Sequence, residues 1–211
     1  MYVLHTESSW TSPWVASVYV TLVEKSLPFT TALAMMRPHV GAVHALHERT
    51  LTGTAPVLEH QGVWIAESLA IVEYLDEVAP TPRMLPASLA DRARARQLMI
   101  WMRCEHQQLH RERPLEAVIY GAPAPTVALS AAARAAADRL VEVATRLGVD
   151  GAGCAFGKTF GVLDCELALS LTRLVDYELP APVQAYVDAV HARPSVRSFL
   201  DHPRPPNAPQ H

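Results

Sequence analysis

The sequence predicts two domains of different class: a mixed α/β domain first and an all-helical domain after it. Three observations carry this expectation. Residues 1–80 alternate short β-prone runs with stretches of helical spacing. A proline cluster, Pro80-Thr81-Pro82 and Pro86, then interrupts the chain as a linker. Beyond it only helical patterns follow, opened by serine, glycine or proline start signals. The predicted boundaries are residues 1–80, 86–202 and a loose proline-rich tail over 203–211.

Each element has a local reason. Tyr2-Val3-Leu4-His5 is a short first strand. Ser12-Pro13 opens a helix to about Lys25, with Pro13 at the first helical position, where its missing N–H costs nothing. Pro28 to Met35 reads as a second strand, so strand-helix-strand order implies a parallel pair with a right-handed crossover. Residues 37–53 are irregular, with one short helix expected around Ala42 to His47. Val57-Leu58 and Val63-Trp64-Ile65 flank a tight turn, and Gly62 supplies the positive φ that such a turn needs. Pro56 marks a strand start or an edge, because proline gives the ladder no N–H. Ser68 is expected to cap a helix to Val78 in which Leu69, Ile71, Val72 and Leu75 recur at helical spacing.

In the second half, Ser88 with Asp91 three residues on resembles a capping box for a helix to about Arg113, ended by Pro114. Ser130 caps an alanine-rich helix that stops near Gly148. Gly161-Val162-Leu163-Asp164 starts another, with Leu167, Leu171, Leu174 and Val175 at core spacing. Pro182 and Pro194 each sit where a first helical turn begins.

Composition narrows the function classes. The chain has 211 residues and a net charge of −3 with both signs interspersed, so no basic stripe argues for nucleic acid. The longest apolar stretch, Pro13 to Val23, is too short to span a bilayer. Cys104, Cys154 and Cys165 fall in no paired motif, and the N-terminus lacks a secretion-signal pattern. A reduced, cytoplasmic setting is therefore expected. No Gly-x-Ser-x-Gly or phosphate loop supports a serine hydrolase or nucleotide reading. His106 and His110 have metal-ligand spacing on one helix, but no third ligand is identifiable, so no metal is expected.

The positive signal is Ala55-Pro56-Val57-Leu58, a hairpin, then Glu67-Ser68. It sets a proline-held backbone edge beside a helix N-terminus that carries a carboxylate and a hydroxyl. A small zwitterionic peptide fits such a socket. An extended peptide adds to a free edge like a strand. A helix N-terminus and a hydroxyl favour its carboxylate, and a glutamate accepts from its ammonium.

This pattern resembles the glutathione-binding half of the cytosolic glutathione S-transferase family. The resemblance covers nearly the whole chain and implies a thioredoxin-like first domain and an all-α second domain. It implies a cis bond before Pro56, with the backbone of Ala55 pairing the cysteinyl unit of glutathione and Glu67 and Ser68 holding its γ-glutamyl end. A buried cap ending in Asp164 and the Arg193-Pro194-Ser195-Val196 segment are also similar to that family, although Gly161 stands where it usually has Ser or Thr. Arg111-Glu112-Arg113-Pro114 resembles bacterial theta-like members.

Glutathione chemistry needs the thiolate, and a free thiol has a pKa of about 8.5. A hydroxyl at a helix N-terminus stabilises the sulfur anion with help from the dipole and free N–H groups. Ser12 before Pro13 resembles the family's serine-type and cysteine-type versions, and Ser12 is the chosen catalytic residue. A cysteine there would favour thiol-disulfide exchange instead. Ser8, Ser9 and Thr11 lie in the same loop and stay open as alternatives, with Trp10 able to wall the site. Arg37, His39, His44 and His47 are all candidates for the glycine end of glutathione. The resemblance assigns the helix of Trp101, Cys104, His106 and Arg111 to the pocket of the electrophilic co-substrate. The expected function is glutathione transfer to a small electrophile by a homodimer. Peroxide reduction, isomerisation, dehalogenation or a non-catalytic interaction role on the same scaffold is the alternative.

Overall fold

A computed structural model describes residues 1–34, 46, 48–157 and 159–206. The chain divides into two compact units: Met1–Met84 with the segment that begins at Asp201, and Leu85–Leu200.

The first unit holds strands β1 (Tyr2–Thr6), β2 (Phe29–Leu33), β3 (Val57–His60) and β4 (Val63–Ala66) with helices α1 (Pro13–Glu24) and α2 (Ser68–Val78). The sheet order is β2-β1-β3-β4, with β1 and β2 parallel and the other pairs antiparallel. This is the expected thioredoxin-like arrangement. At the β3–β4 turn Gln61 and Gly62 have φ of 51° and 82°, the double-positive pair of a type I′ hairpin. Helices α1 and α2 pack on each other and bury Val15, Val18, Leu22, Ile71, Val72 and Leu75 completely, beside Leu4 and Leu58 of the sheet. Each such side chain contributes about 1.5–3 kcal/mol on burial. The second strand is shorter than the expected Pro28–Met35, and Met35 lies outside the described residues.

A buried lysine closes this unit. Lys25 follows α1, and its ammonium lies 2.7 Å from Asp76 and donates to the carbonyls of Ala79 and Pro82, both at 2.6 Å. Asp76 also accepts from the Met84 N–H at 2.9 Å. One cation thereby ties the end of α1 to the end of α2 and the proline-rich segment behind it.

The second unit is helical: α3 (Leu89–Glu105), α4 (Gln107–Glu112), α5 (Leu115–Ile119), α6 (Ala131–Leu147), α7 (Val162–Thr172), α8 (Ala181–Ala192) and α9 (Pro194–Leu200). The predicted caps are present. Ser88 and Ser130 accept from the N–H three residues on, and Gly148 ends α6 at φ 68°. Helix α7 is buried from Val162 to Leu171 and touches α3, α5, α6 and α8. A helix apolar all round sits at the centre of its domain. Its charged Glu166 is tolerated there because Arg103 of α3 reaches it at 2.5 Å.

Gly161 offers no side chain to cap α7, and Asp164 at the third helical position supplies the other half of the cap. Its carboxylate accepts from the N–H groups of Gly161 (2.8 Å) and Ala155 (2.6 Å) and from the Tyr186 hydroxyl (2.9 Å). Burial pushes its pKa up to about 6 against these three bonds.

Two expectations are corrected. The helix from Ser88 does not run unbroken to Arg113. It stops at Glu105, the backbone of His106 turns to φ −100° and ψ 14°, and α4 resumes the path. The break buries the His106 ring, which meets Trp101 edge-on at 4.4 Å between centroids. Val175 is not a core residue. Helix α7 ends at Thr172, so helical spacing no longer governs position 175, which is 49% exposed.

Candidate functional site

Strand register assembles the site. His5 on β1 stands opposite Val57 on β3, and Val57 stands opposite Ala66 on β4. The end of β1, the start of β3 and the end of β4 therefore share one end of the sheet. The loop that holds Ser12 leaves from the first. Ala55-Pro56 leads into the second, and Glu67-Ser68 follows the third. The N-termini of α1 and α2 face this same end, and neither helix carries an acidic side chain in its first turn to offset its dipole.

Ser12 is the N-cap of α1, with φ −71° and ψ 123°. Its Oγ accepts from the N–H groups of Trp14 (3.2 Å) and Val15 (3.4 Å). A hydroxyl that accepts from the helix keeps its own proton to donate outward. The loop before it is tied by Glu7, a residue that sequence reasoning missed. Glu7 Oε1 accepts from the N–H groups of both Thr11 and Ser12 at 2.8 Å, and Oε2 accepts from the Thr6 hydroxyl at 3.0 Å. No motif marks Glu7; its role appears only when the loop is folded.

The rival hydroxyls are arranged differently. Ser9 and Thr11 are buried, and their hydroxyls share a 3.0 Å hydrogen bond. Ser8 is exposed. Trp10 is buried at φ 52°, with its ring 3.8 Å from that of His202 and edge-on to Tyr19 at 5.8 Å. Its carbonyl accepts from Arg204 at 3.0 Å. It packs within its own unit.

The peptide bond between Ala55 and Pro56 is cis. Pro56 is buried and Ala55 half-buried, and behind them Ala34, Leu46, Val57, Trp64 and Ala66 form an apolar cluster. The expected cap of α2 is shifted by one residue. Glu67 is the N-cap, at φ 69° and ψ 111° with no side-chain cap bond, and Ser68 is the first helical residue. A non-glycine residue at positive φ is strained by about 1–3 kcal/mol. The Glu67 side chain is exposed, with a long 3.5 Å contact from the Thr54 hydroxyl, while Ser68 is buried. The short helix expected around Ala42 to His47 falls almost wholly outside the described residues, as do Arg37, His39, His44 and His47. Leu46, Glu48 and Arg49 are helical, and the Arg49 guanidinium lies over the Trp64 ring at 5.2 Å.

Across α3, the break at His106 and α4, the residues expected at the co-substrate pocket separate. Cys104 and Arg111 are exposed, Trp101 is half-buried, and His106 is 1% exposed. Burial and the nearby Arg173 charge bring His106 down to about 4 and His110 down to about 3.

The family model for the glutathione S-transferase N-terminal domain matches residues 11–78, and that for the C-terminal domain matches residues 88–203. The chain belongs to the glutathione S-transferase family. Among solved structures, a glutathione transferase homolog from Burkholderia gl BGR1 with bound glutathione is 31% identical. The match covers 94% of this chain and 95% of that one, with a TM-score of 0.75. A glutathione S-transferase from Rhodospirillum rubrum F11 is 27% identical over 100% of this chain and 96% of that one, with a TM-score of 0.73. A Tau class enzyme from mango shares the fold at 22% identity, with 95% and 93% of the chains covered and a TM-score of 0.71. No curated protein matches the chain. A thioredoxin-like first domain with a helical second domain is the glutathione S-transferase fold. Among the described residues no helix is long and apolar enough to cross a membrane.

Proposed function

We propose that the protein is a serine-type, theta-like glutathione transferase that binds glutathione at the sheet end and activates its thiol as thiolate. The reading rests above all on Ser12, whose Oγ accepts from two helical N–H groups while its proton remains available to the sulfur. The Thr11 and Ser12 N–H groups already donate to Glu7, and the Ser9 and Thr11 hydroxyls pair with each other. These contacts favour the Ser12 hydroxyl over its neighbours as the sulfur ligand.

The remaining roles follow from chemistry. The cysteinyl unit pairs with the backbone of Ala55, which is half-buried and stands just before β3. The γ-glutamyl carboxylate meets the Ser68 hydroxyl and the α2 N-terminus, and its ammonium meets the exposed Glu67 carboxylate. Residues 1–80 hold glutathione, and the helical residues 86–202 hold the small electrophile that the thiolate attacks. A homodimer in the cytoplasm is the assembly and setting that we propose, an isologous pair being the commonest arrangement of soluble enzymes.

The test is retention on immobilised glutathione, followed by a conjugation assay with a chromogenic aryl halide. Retention with turnover supports a transferase. Retention without turnover moves the assignment to other glutathione chemistry or to an interaction module. No retention removes the glutathione reading.

A further inference from the structure

The helical unit contains a cavity of about 170 Å³. Its walls are largely apolar: Pro114, Ala117 and Val118 from the α4–α5 region, the Ala122–Pro125 loop, and Val175. Two prolines in that loop hold the wall in a fixed path. Val175, the expected core residue that the fold leaves half-exposed, finds its place at this opening.

Two buried arginines, Arg113 and Arg173, line the same cavity, and they differ in charge balance. Arg113 is neutralised by Asp176, whose two carboxylate oxygens accept from Nε at 3.1 Å and from Nη2 at 2.6 Å. Arg173 is 5% exposed and has no ion pair with a described carboxylate. Its Nη1 donates to the Arg113 carbonyl at 2.9 Å, while Nε is buried with no hydrogen-bond partner. The groups whose fields meet Arg173 are His106 and His110, which burial keeps neutral near pH 7. Glu112, the one carboxylate among the lining residues, gives its oxygens to Gln108 Nε2 at 2.7 Å and to the Ser130 N–H at 2.8 Å. Burial brings the Arg173 guanidinium down only to about 10, so it stays a cation.

A buried cation without a counter-charge, on the wall of an apolar cavity, calls for an anion that brings apolar surface with it. A carboxylate suits a planar guanidinium better than a spherical ion does. We infer that this cavity binds a small apolar molecule bearing one carboxylate, whose charge pairs with Arg173 and whose body lies against Ala117, Val118 and the Ala122–Pro125 loop. All lining residues belong to the helical unit, so this binding and glutathione binding can fail separately.

Calorimetric titration of the full chain with phenylacetate tests it, with neutral 2-phenylacetamide and inorganic phosphate as comparison probes. Phenylacetate should bind at least tenfold more tightly than either. Arg173→Gln should weaken phenylacetate at least tenfold and leave the amide unchanged. Ala117→Phe, which fills the cavity and keeps the guanidinium, should weaken both organic probes, and it decides the matter if Arg173→Gln fails to fold. The inference is overturned if acid and amide bind equally, if phosphate binds as well as phenylacetate, if neither variant changes phenylacetate binding, or if phenylacetate does not bind.

Discussion

The N-termini of α1 and α2 stand at one end of the same sheet and are built in opposite ways. At α1 a relaxed Ser12 caps the helix with its side chain. At α2 the cap position holds Glu67 at φ 69°, with no side-chain cap bond and its carboxylate exposed. The first terminus is stabilised by the group proposed to do chemistry. The second carries backbone strain, and its side chain stays available to a ligand. An arrangement that raises the energy of the empty fold and presents a charged group outward is the usual mark of a binding position. Binding should therefore depend mostly on α2, and reactivity mostly on α1.

The largest expected effect tests the α2 side. Glu67→Ala and Ser68→Ala should each weaken glutathione binding by about 1.5–3 kcal/mol, the range for losing one partner of a charge-assisted bond. That corresponds to roughly ten- to hundredfold in Kd by calorimetry. Unchanged affinity in both variants would remove the socket. Ser12→Ala should bind nearly as well as the wild type. Its effect belongs in the thiol pKa, which should rise by about one to two units as a donor worth roughly 1–3 kcal/mol is lost. Because a raised pKa leaves less thiolate near neutrality, conjugation should slow there and recover as the pH rises. Thiolate absorbance of the glutathione complex against pH reads this directly, and superimposable titrations would assign the sulfur to another group.

Stability should show the opposite ranking. Ser12→Ala removes a side-chain cap and should cost about 1 kcal/mol. Glu67→Gly relieves a positive φ and should gain roughly 1 kcal/mol, because glycine adopts that conformation without a Cβ clash. Urea melts of the two variants should move in opposite directions. A destabilised Glu67→Gly would mean that the side chain, and not the backbone, holds this turn.

The parts of this comparison were not equally legible in the sequence. The Ser12-Pro13 start, the Gln61-Gly62 turn and the Ser130-to-Gly148 helix are local signals, each readable within a few residues. The Glu67 strain was not, because Ser68 is the better capping residue by type and only the path out of β4 shifts the cap by one. Through-space ties left no trace in spacing. Lys25–Asp76 and Arg113–Asp176 each join residues more than fifty positions apart. The His106 break has the same origin. Its sequence reads as continuous helix, and the kink exists where the ring turns into the interior against Trp101. Gly161 was readable as a missing hydroxyl and Asp164 as the end of the cap, but the Tyr186 and Ala155 bonds to Asp164 were not, since they form only once the helices are packed.

The smallest effect comes from Glu7, which sharpens the α1 side. Its carboxylate accepts from the Thr11 and Ser12 N–H groups and so holds the loop that presents the Ser12 hydroxyl. The same negative charge opposes a thiolate nearby and should hold the bound thiol slightly above the pKa it would otherwise have. These two roles separate by substitution. Glu7→Gln keeps an acceptor oxygen for the two N–H groups and removes the charge. At a few ångström in a largely solvated site, one charge is worth about 0.5–1 kcal/mol, which is less than about one pKa unit. The glutathione thiol pKa should therefore fall by that small amount in Glu7→Gln, with the melting transition nearly unchanged. Glu7→Ala removes charge and tie together, so the fall should be offset or reversed as the Ser12 loop loosens. If Glu7→Gln raises the thiol pKa, the carboxylate acts chiefly by placing the hydroxyl, and the α1 terminus, like α2, depends on an acidic side chain for its chemistry.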